Sequence, residues 1–321
     1  MTIFARRTLL RALPLPLAAL TLAACETEKK KDSQPAQPAP AKPADAQSLL
    51  AKVQVSQDLG QEPKVTLDGQ LDVTRPESQV LVKGDGARLT AGSLAIMKSL
   101  FVNGADGQVL QSSWQGALPE ALLLNEKGIG PDAFKFLTSA NVGSRLLMLG
   151  KQETQQGPLS LVQVADVIEQ VPGRAVGKSE KLDPKLPKYT LGEDGNPILT
   201  GAPEGPPPQE LVAATAIKGA GRQVKNGDTL VMQYRGWGWD GKEFDSSWQR
   251  GSVFSFQLGS GQVIQGWDKG LLGATVGSQL LLVIPPALAY GNDPKQHQLG
   301  VQTLIFVVDL LHSFDGAVTN K

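Results

Sequence analysis

Two short stretches of this chain repeat each other, and that repeat constrains the fold more than any other feature. Residues 111–116 read QSSWQG and residues 245–250 read DSSWQR. Tryptophan occurs only five times in 321 residues, so its place after Ser-Ser in both stretches is informative. The similarity continues in both directions. Upstream, VKGDG at 82–86 matches IKGAG at 217–221, and PKVTL at 63–67 echoes PKYTL at 187–191. Downstream, NVGSRLL at 141–147 matches TVGSQLL at 275–281, and LVQVAD at 161–166 matches LIFVVD at 304–309. Lys218 follows Lys83 by 135 positions, Trp248 follows Trp114 by 134, and Asp309 follows Asp166 by 143. Matches kept in order at a near-constant offset are the mark of a duplicated unit. The final jump places about nine extra residues in the second copy, around Pro285–Gln302.

Two domains of one fold are therefore expected, over 59–172 and 209–314. A Pro/Gly-rich linker at 173–208 separates them and is expected to pack partly against the second domain, and a short tail covers 315–321. In the second copy, TLVMQYR at 229–235 suits a strand. Asp240-Gly241 marks a hairpin turn, since glycine tolerates the positive φ that such a turn needs. Phe254, Phe256 and Leu258 share one strand face at period two. Ile264, Trp267, Asp268 and Leu271 then fall on one face of a short helix. Apolar strands at 277–284 and 303–312 close the unit. The expected fold class is α+β, about five antiparallel strands around one short helix in each copy.

The first residues are not expected to be part of this fold. MTIFARRTLLRALPLPLAALTLAAC has a basic front, an apolar run broken by Pro14 and Pro16, and small residues at its end. Residues 1–24 read as a secretory signal rather than a membrane span. Leu22-Ala23-Ala24-Cys25 resembles the lipobox of bacterial lipoproteins, which implies a lipidated Cys25 and a membrane-anchored position facing out of the cytoplasm. Cys25 is the only cysteine, so the mature chain would hold no disulfide and no thiol chemistry. The segment after it is rich in Lys, Pro, Ala and Gln, and 25–58 is expected to be a disordered tether. Lys and Arg total 31, as do Asp and Glu, so no basic field points to nucleic acid as a partner.

The second copy carries a dense set of residues in order: Gly227-Asp228, Tyr234, DGKEFDSS at 240–247, FSF at 254–256, VIQGW at 263–267, Val276-Gly277, PPALAYG at 285–291 and LIF at 304–306. This set resembles the FK506-binding-protein (FKBP) type peptidyl-prolyl cis-trans isomerases, over nearly all of 209–314. The whole chain is similar to exported bacterial lipoproteins with two such domains. The resemblance implies a bent half-barrel over a short helix, with an apolar cup between them. It implies a cup lined by Tyr234, Phe244, Val263, Ile264, Trp267, Tyr290 and Phe306, with Trp267 as its floor. Phe254 would form part of the wall. Asp245 would be the rim carboxylate, with Arg250 beside it. The backbone N–H of Ile264 and the hydroxyl of Tyr290 would donate to bound ligands. Proline-containing polypeptides are the implied partners, with macrolide inhibitors as further ligands and no cofactor or metal. Two features depart from the family pattern. Trp248 is unusual at its position, and NDPKQHQLGVQ at 292–302 lacks an Ile-Pro pair. A chaperone or binding module with little turnover is the alternative reading.

In register, the first copy keeps barrel positions and loses the cup. Tyr234 corresponds to Ser99, Phe244 to Leu110, Asp245 to Gln111, Trp267 to Ala133 and Phe306 to Gln163. A catalytically inactive copy is expected. Of the two histidines, His312 is expected to be an ordinary strand-end residue and His297 to sit in a polar loop. Neither belongs to a nucleophilic or metal-binding constellation.

Overall fold

Strands buried on both faces read as continuous apolar runs, and QLLLVI at 279–284 is of that kind, buried at every position. Many strands here share that character. The structure is a computed structural model that describes residues 48–155, 157–295 and 297–316. The expected signal segment, Cys25, most of the expected tether and residues 317–321 lie outside the described residues.

In the first half, β1 (Val53–Val55) and β2 (Val65–Leu67) form a small antiparallel ribbon. There follow β3 (Glu77–Val82), β4 (Ser93–Asn103), β5 (Val109–Ser112), β6 (Glu120–Leu123), α1 (Glu126–Ile129), α2 (Pro131–Leu137), β7 (Arg145–Thr154) and β8 (Gly157–Pro172). In the second half, β9 (Lys178–Ser179) is followed by the ribbon of β10 (Tyr189–Leu191) and β11 (Pro197–Leu199). Then come β12 (Val212–Lys218), β13 (Thr229–Gly238), β14 (Glu243–Ser246), α3 (Ser247–Arg250), β15 (Phe254–Gln257), α4 (Gln265–Leu271), β16 (Gln279–Ile284) and β17 (Leu304–Phe314). Among the described residues the chain is sheet-rich with few, short helices, as an α+β reading requires.

The two large sheets run in the same order. One is β3-β7-β8-β4-β5 with β6 also on β4. The other is β12-β16-β17-β13-β14 with β15 also on β13 and β9 added beyond β12. Local details coincide as well. The Ser144 hydroxyl accepts from Gly84 N–H at 2.9 Å, and the Ser278 hydroxyl accepts from Gly219 N–H at 2.9 Å. The sheets differ where the offset jumps. β7 and β8 continue as one hairpin to Thr154 and Gly157, whereas β16 stops at Ile284 and a long loop leads to β17.

Each large sheet is covered on both faces. In the second half, one face packs under α4, with Leu230, Met232, Leu282, Val308 and Leu310 at 0% exposure. The other face holds Trp237, Leu281, Ile305 and Val307, covered by Leu182, Leu186, Tyr189 and Leu199. The expected linker packs on the second sheet, where its apolar residues Leu182, Leu186, Tyr189 and Leu199 bury the back. The first sheet's back is likewise covered by Val53, Val55, Val65, Leu67, Leu71 and Val73. Residues 49–55, expected within the tether, are instead structured, since this apolar run has a surface to bury against. PKVTL lies in the second strand of its ribbon and PKYTL in the first, so that echo does not share the register of the other matches.

A polar clasp fixes each cover. Arg145, fully buried, donates Nε and Nη2 to the two Asp166 carboxylate oxygens at 2.7 and 2.8 Å. Its remaining donors reach the carbonyls of Ser56 at 2.6 Å and Gln61 at 2.9 Å. At the matching place in the second sheet, Gln279 Nε2 donates to Asp309 at 2.7 Å. The other Asp309 oxygen accepts from Ala175 N–H at 2.8 Å, and the Tyr189 hydroxyl donates to Gln279 at 2.9 Å. With an amide in place of a guanidinium, burial pushes the Asp309 carboxyl up to about 6. A raised carboxyl stabilises the fold fully below its ordinary value of 3.8, and that contribution is lost as pH rises through about 6. Between pH 4 and 7 the Asp309→Asn variant should accordingly lose about 2 kcal/mol of pH dependence relative to the unaltered chain. Urea unfolding at several pH values measures it. Parallel pH curves for the two proteins would contradict the assignment.

The two halves also share a core. Leu94, Ile96 and Leu123 from the first meet Val231 and Leu311 from the second, with Val253 and Phe314 at the margin. Gln233 Nε2 donates to the Gly173 carbonyl at 2.7 Å across the junction.

Candidate active site

The helix α4 is short and glycine-bearing, which lets it lie close on its sheet with Trp267 and Leu271 pointing inward. Trp267 is 4% exposed and forms the centre of an aromatic cluster. Its ring centroid lies 5.0 Å from Tyr234, 5.1 Å from Phe306, 5.8 Å from Phe254 and 5.9 Å from Phe256. The first three contacts are edge-to-face, the arrangement that ring quadrupoles prefer. Phe244 joins through Phe306 at 5.5 Å. β13 supplies Tyr234, β14 Phe244, β15 Phe254 and β17 Phe306. Gly236 makes room for them. A Cβ there would stand 2.7 Å from Phe244 Cζ and 2.8 Å from Phe306 Cε1, so only glycine lets both rings close over the strand.

Burial falls off from floor to rim. Tyr234 and Phe306 are buried with Trp267, while Phe244, Phe254, Val263 and Ile264 are partly buried on the same core. Tyr290 is 37% exposed at the start of the long loop after β16. At the rim, the Tyr234 hydroxyl donates to Asp245, Arg250 Nη1 donates to the other Asp245 oxygen, and Arg250 Nη2 donates to the Tyr234 oxygen at 2.9 Å. The Arg250 guanidinium also lies 5.4 Å from the centre of the Tyr234 ring. Burial, and then the bond to Asp245, push the Tyr234 phenol up to about 12. It remains a neutral hydrogen-bond donor at physiological pH.

All ten residues expected to form the second-copy site fall on or beside this cup. The eleventh, Cys25, lies outside the described residues. Two features were not legible in sequence. The His297 ring stacks on Tyr290 with centroids 3.8 Å apart and an 8° tilt, and its Nδ1 accepts from Leu299 N–H at 3.1 Å. The Arg250–Tyr234 bond closes a three-membered cluster where an Asp–Arg pair alone was expected. His312 lies within β17, which runs on to Phe314, and burial lowers its basicity. Among the described residues no group of three or more His, Cys, Asp or Glu could hold a metal ion.

A sequence profile of the FKBP-type peptidyl-prolyl cis-trans isomerases matches residues 220–311, which carry all ten of these residues. The probable FK506-binding protein of Corynebacterium glutamicum is 40% identical over 110 residues, covering 34% of this chain and 92% of that protein. The chain belongs to the FKBP-type peptidyl-prolyl cis-trans isomerase family. The FK506-binding protein of Streptomyces anulatus is 43% identical over 112 residues, covering 34% of this chain and 90% of that protein. The peptidyl-prolyl cis-trans isomerase FKBP15-2 of Arabidopsis thaliana is 51% identical over 90 residues. The match spans 28% of this chain and 55% of the Arabidopsis protein.

The FKBP profile stops short of the first half, where the matching positions carry different chemistry. Ser99 on β4, Gln163 on β8 and Glu120 on β6 stand where β13, β17 and β15 place Tyr234, Phe306 and Phe254. The Ser99 hydroxyl and Gln163 Nε2 both donate to Glu120, at 2.9 and 2.8 Å. Burial raises the Glu120 carboxyl above the usual carboxylate range. Ala133 lies on α2, 134 positions before Trp267, and Leu110 lies 40% exposed on β5. None of the recurring stretches falls on β6, so the only trace of Glu120 in the sequence is its place 134 residues before Phe254.

Proposed function

We propose that this protein isomerises X-Pro peptide bonds of exported polypeptides at the cup of its second half. The observation that carries the reading is the set of rings around Trp267, open toward Tyr290 and bounded by a single carboxylate whose partners are already in place. Rotation about an X-Pro bond faces a barrier of about 18–20 kcal/mol and breaks no covalent bond. In the twisted state the amide loses its resonance and its charge separation. A water-poor aromatic cup favours that state over the planar one, so the cup accelerates rotation by differential binding. The floor grips the pyrrolidine ring while the flanking chain turns. Tyr234, Asp245 and Arg250 bond to one another, which holds the rim in shape and leaves no free base for proton transfer.

The first half is, in this proposal, a duplicate that keeps the sheet and lacks the cup. The common strand order and the matched serine–glycine bonds support duplication. The Ser99–Glu120–Gln163 cluster supports loss of activity, since a polar, carboxylate-bearing floor gives no preference to a less polar twisted amide. We further propose that the chain is a lipoprotein anchored through Cys25, on the strength of Leu22–Cys25 and the apolar run before it. The full chain should speed cis/trans exchange of a short Phe-Pro peptide, followed by NMR, at low micromolar enzyme, and a macrolide that fills the cup should suppress it. No exchange above the uncatalysed rate would leave only the binding-module reading.

A further inference from the structure

The cup rim is braced by the other half of the molecule. Arg250, which bonds both Asp245 and Tyr234, is the last residue of the single-turn helix α3, and Gly251 follows it as the C-cap at φ 69°. That turn is pressed against α1 of the first half. A Cβ on Gly128 would lie 2.0 Å from the Gly251 carbonyl oxygen and 2.8 Å from its carbon. A Cβ on Gly251 would lie 2.9 Å from Gly128 N and 3.3 Å from Asn125 Oδ1. Asn125 is itself the N-cap of α1, accepting from Lys127 N–H at 2.9 Å. Backbone thus meets backbone, with no flexible side chain between to absorb a displacement. The shared apolar core of Leu94, Ile96, Leu123, Val231 and Leu311 holds the halves on either side of this contact.

We propose that Gly128 is a positioning residue for the isomerase cup, acting through Gly251 and α3 to hold Arg250 over Tyr234 and Asp245. The inference rests on the functional reading above. It gives the catalytically silent half a role that neither binding nor spacing requires. A group moved by about 1 Å in a rigid site can change turnover greatly. Gly128 has an ordinary negative φ, so a larger residue there acts by its bulk.

The test uses the full chain with Gly128→Ala, Gly128→Val, Arg250→Ala and the pair Gly128→Val with Arg250→Ala. Lys127→Ala, exposed on the same turn, serves as control. Gly128→Val should lower kcat/KM on the Phe-Pro peptide roughly fivefold to tenfold, mainly through kcat, and Gly128→Ala less. In the Arg250→Ala background the same change should cost almost nothing, because the group it displaces is gone. The ring resonances of Tyr234 should move in Gly128→Val and stay in place in Lys127→Ala. That readout reports the brace whether or not the chain turns over peptide, so failure of the isomerase reading is seen separately as an inactive unaltered protein. If Gly128→Val does not fold, Gly128→Ala carries the same comparison. Unshifted Tyr234 resonances, or rate losses that simply add, would overturn the proposal.

Discussion

Replacing Trp267 by leucine should lower kcat/KM on an X-Pro peptide by about tenfold to a hundredfold, equivalent to about 1.4–2.8 kcal/mol of lost twisted-state binding. Leucine keeps the site apolar and removes the flat surface on which a proline ring can rest. Trp267 touches four other rings, so part of the loss is structural. Aromatic pairs contribute about 0.5–1.5 kcal/mol each beyond burial, and a core truncation adds a cavity term. Unfolding free energy should fall by about 2–4 kcal/mol while the circular dichroism spectrum stays native. Peptide exchange and urea unfolding on the same samples separate the two effects. A folded Trp267→Leu protein with full turnover would show that the reaction occurs elsewhere. The same variant also tests the first half, since activity at Ser99–Glu120–Gln163 would survive it.

The second large effect is expected on the back of the first sheet. Arg145→Gln imitates the clasp of the second half, where Gln279 faces Asp309, but without the partners that make that clasp complete. It leaves Asp166 buried beside a neutral amide and strips the carbonyls of Ser56 and Gln61 of their donors. Breaking one side of a buried, hydrogen-bonded ion pair costs about 3–5 kcal/mol. Hydrogen exchange should show the ribbon of β1 and β2 opening first, before the large sheet. Replacing both Arg145 and Asp166 by apolar residues of similar size should recover much of the loss, because no charge then remains stranded. If Arg145→Gln unfolds at the same urea concentration as the unaltered chain, the clasp does not hold the cover in place.

Much of the second half was legible in the sequence. The cup residues sit at fixed spacing in short strands and one short helix, so period-two and helical patterns, together with family resemblance, placed them. How the linker packs was not legible because composition counts prolines and glycines, whereas burial depends on what surface is within reach. Leu182, Leu186, Tyr189 and Leu199 are sparse along the chain, and they form a patch only when a folded ribbon stacks them on Trp237 and Ile305. The tether boundary shifted for the same reason at Leu49–Val55. The stacking of His297 on Tyr290 was equally hidden, since it depends on the path of a loop with no periodicity.

By itself the sequence determined that short stretches recur in order at a near-constant offset, that 234–306 carries an aromatic set in family order, and that other residues stand at those offsets in the first half. Those are statements about residue identity at corresponding positions, and identity is what a sequence records. Only the tertiary structure decided that Ser99, Glu120 and Gln163 bond to one another, that covering segments clasp the back of each sheet, and that Gly128 touches Gly251. Each of those depends on groups far apart in the chain meeting within a few ångströms, and no local pattern encodes such a distance.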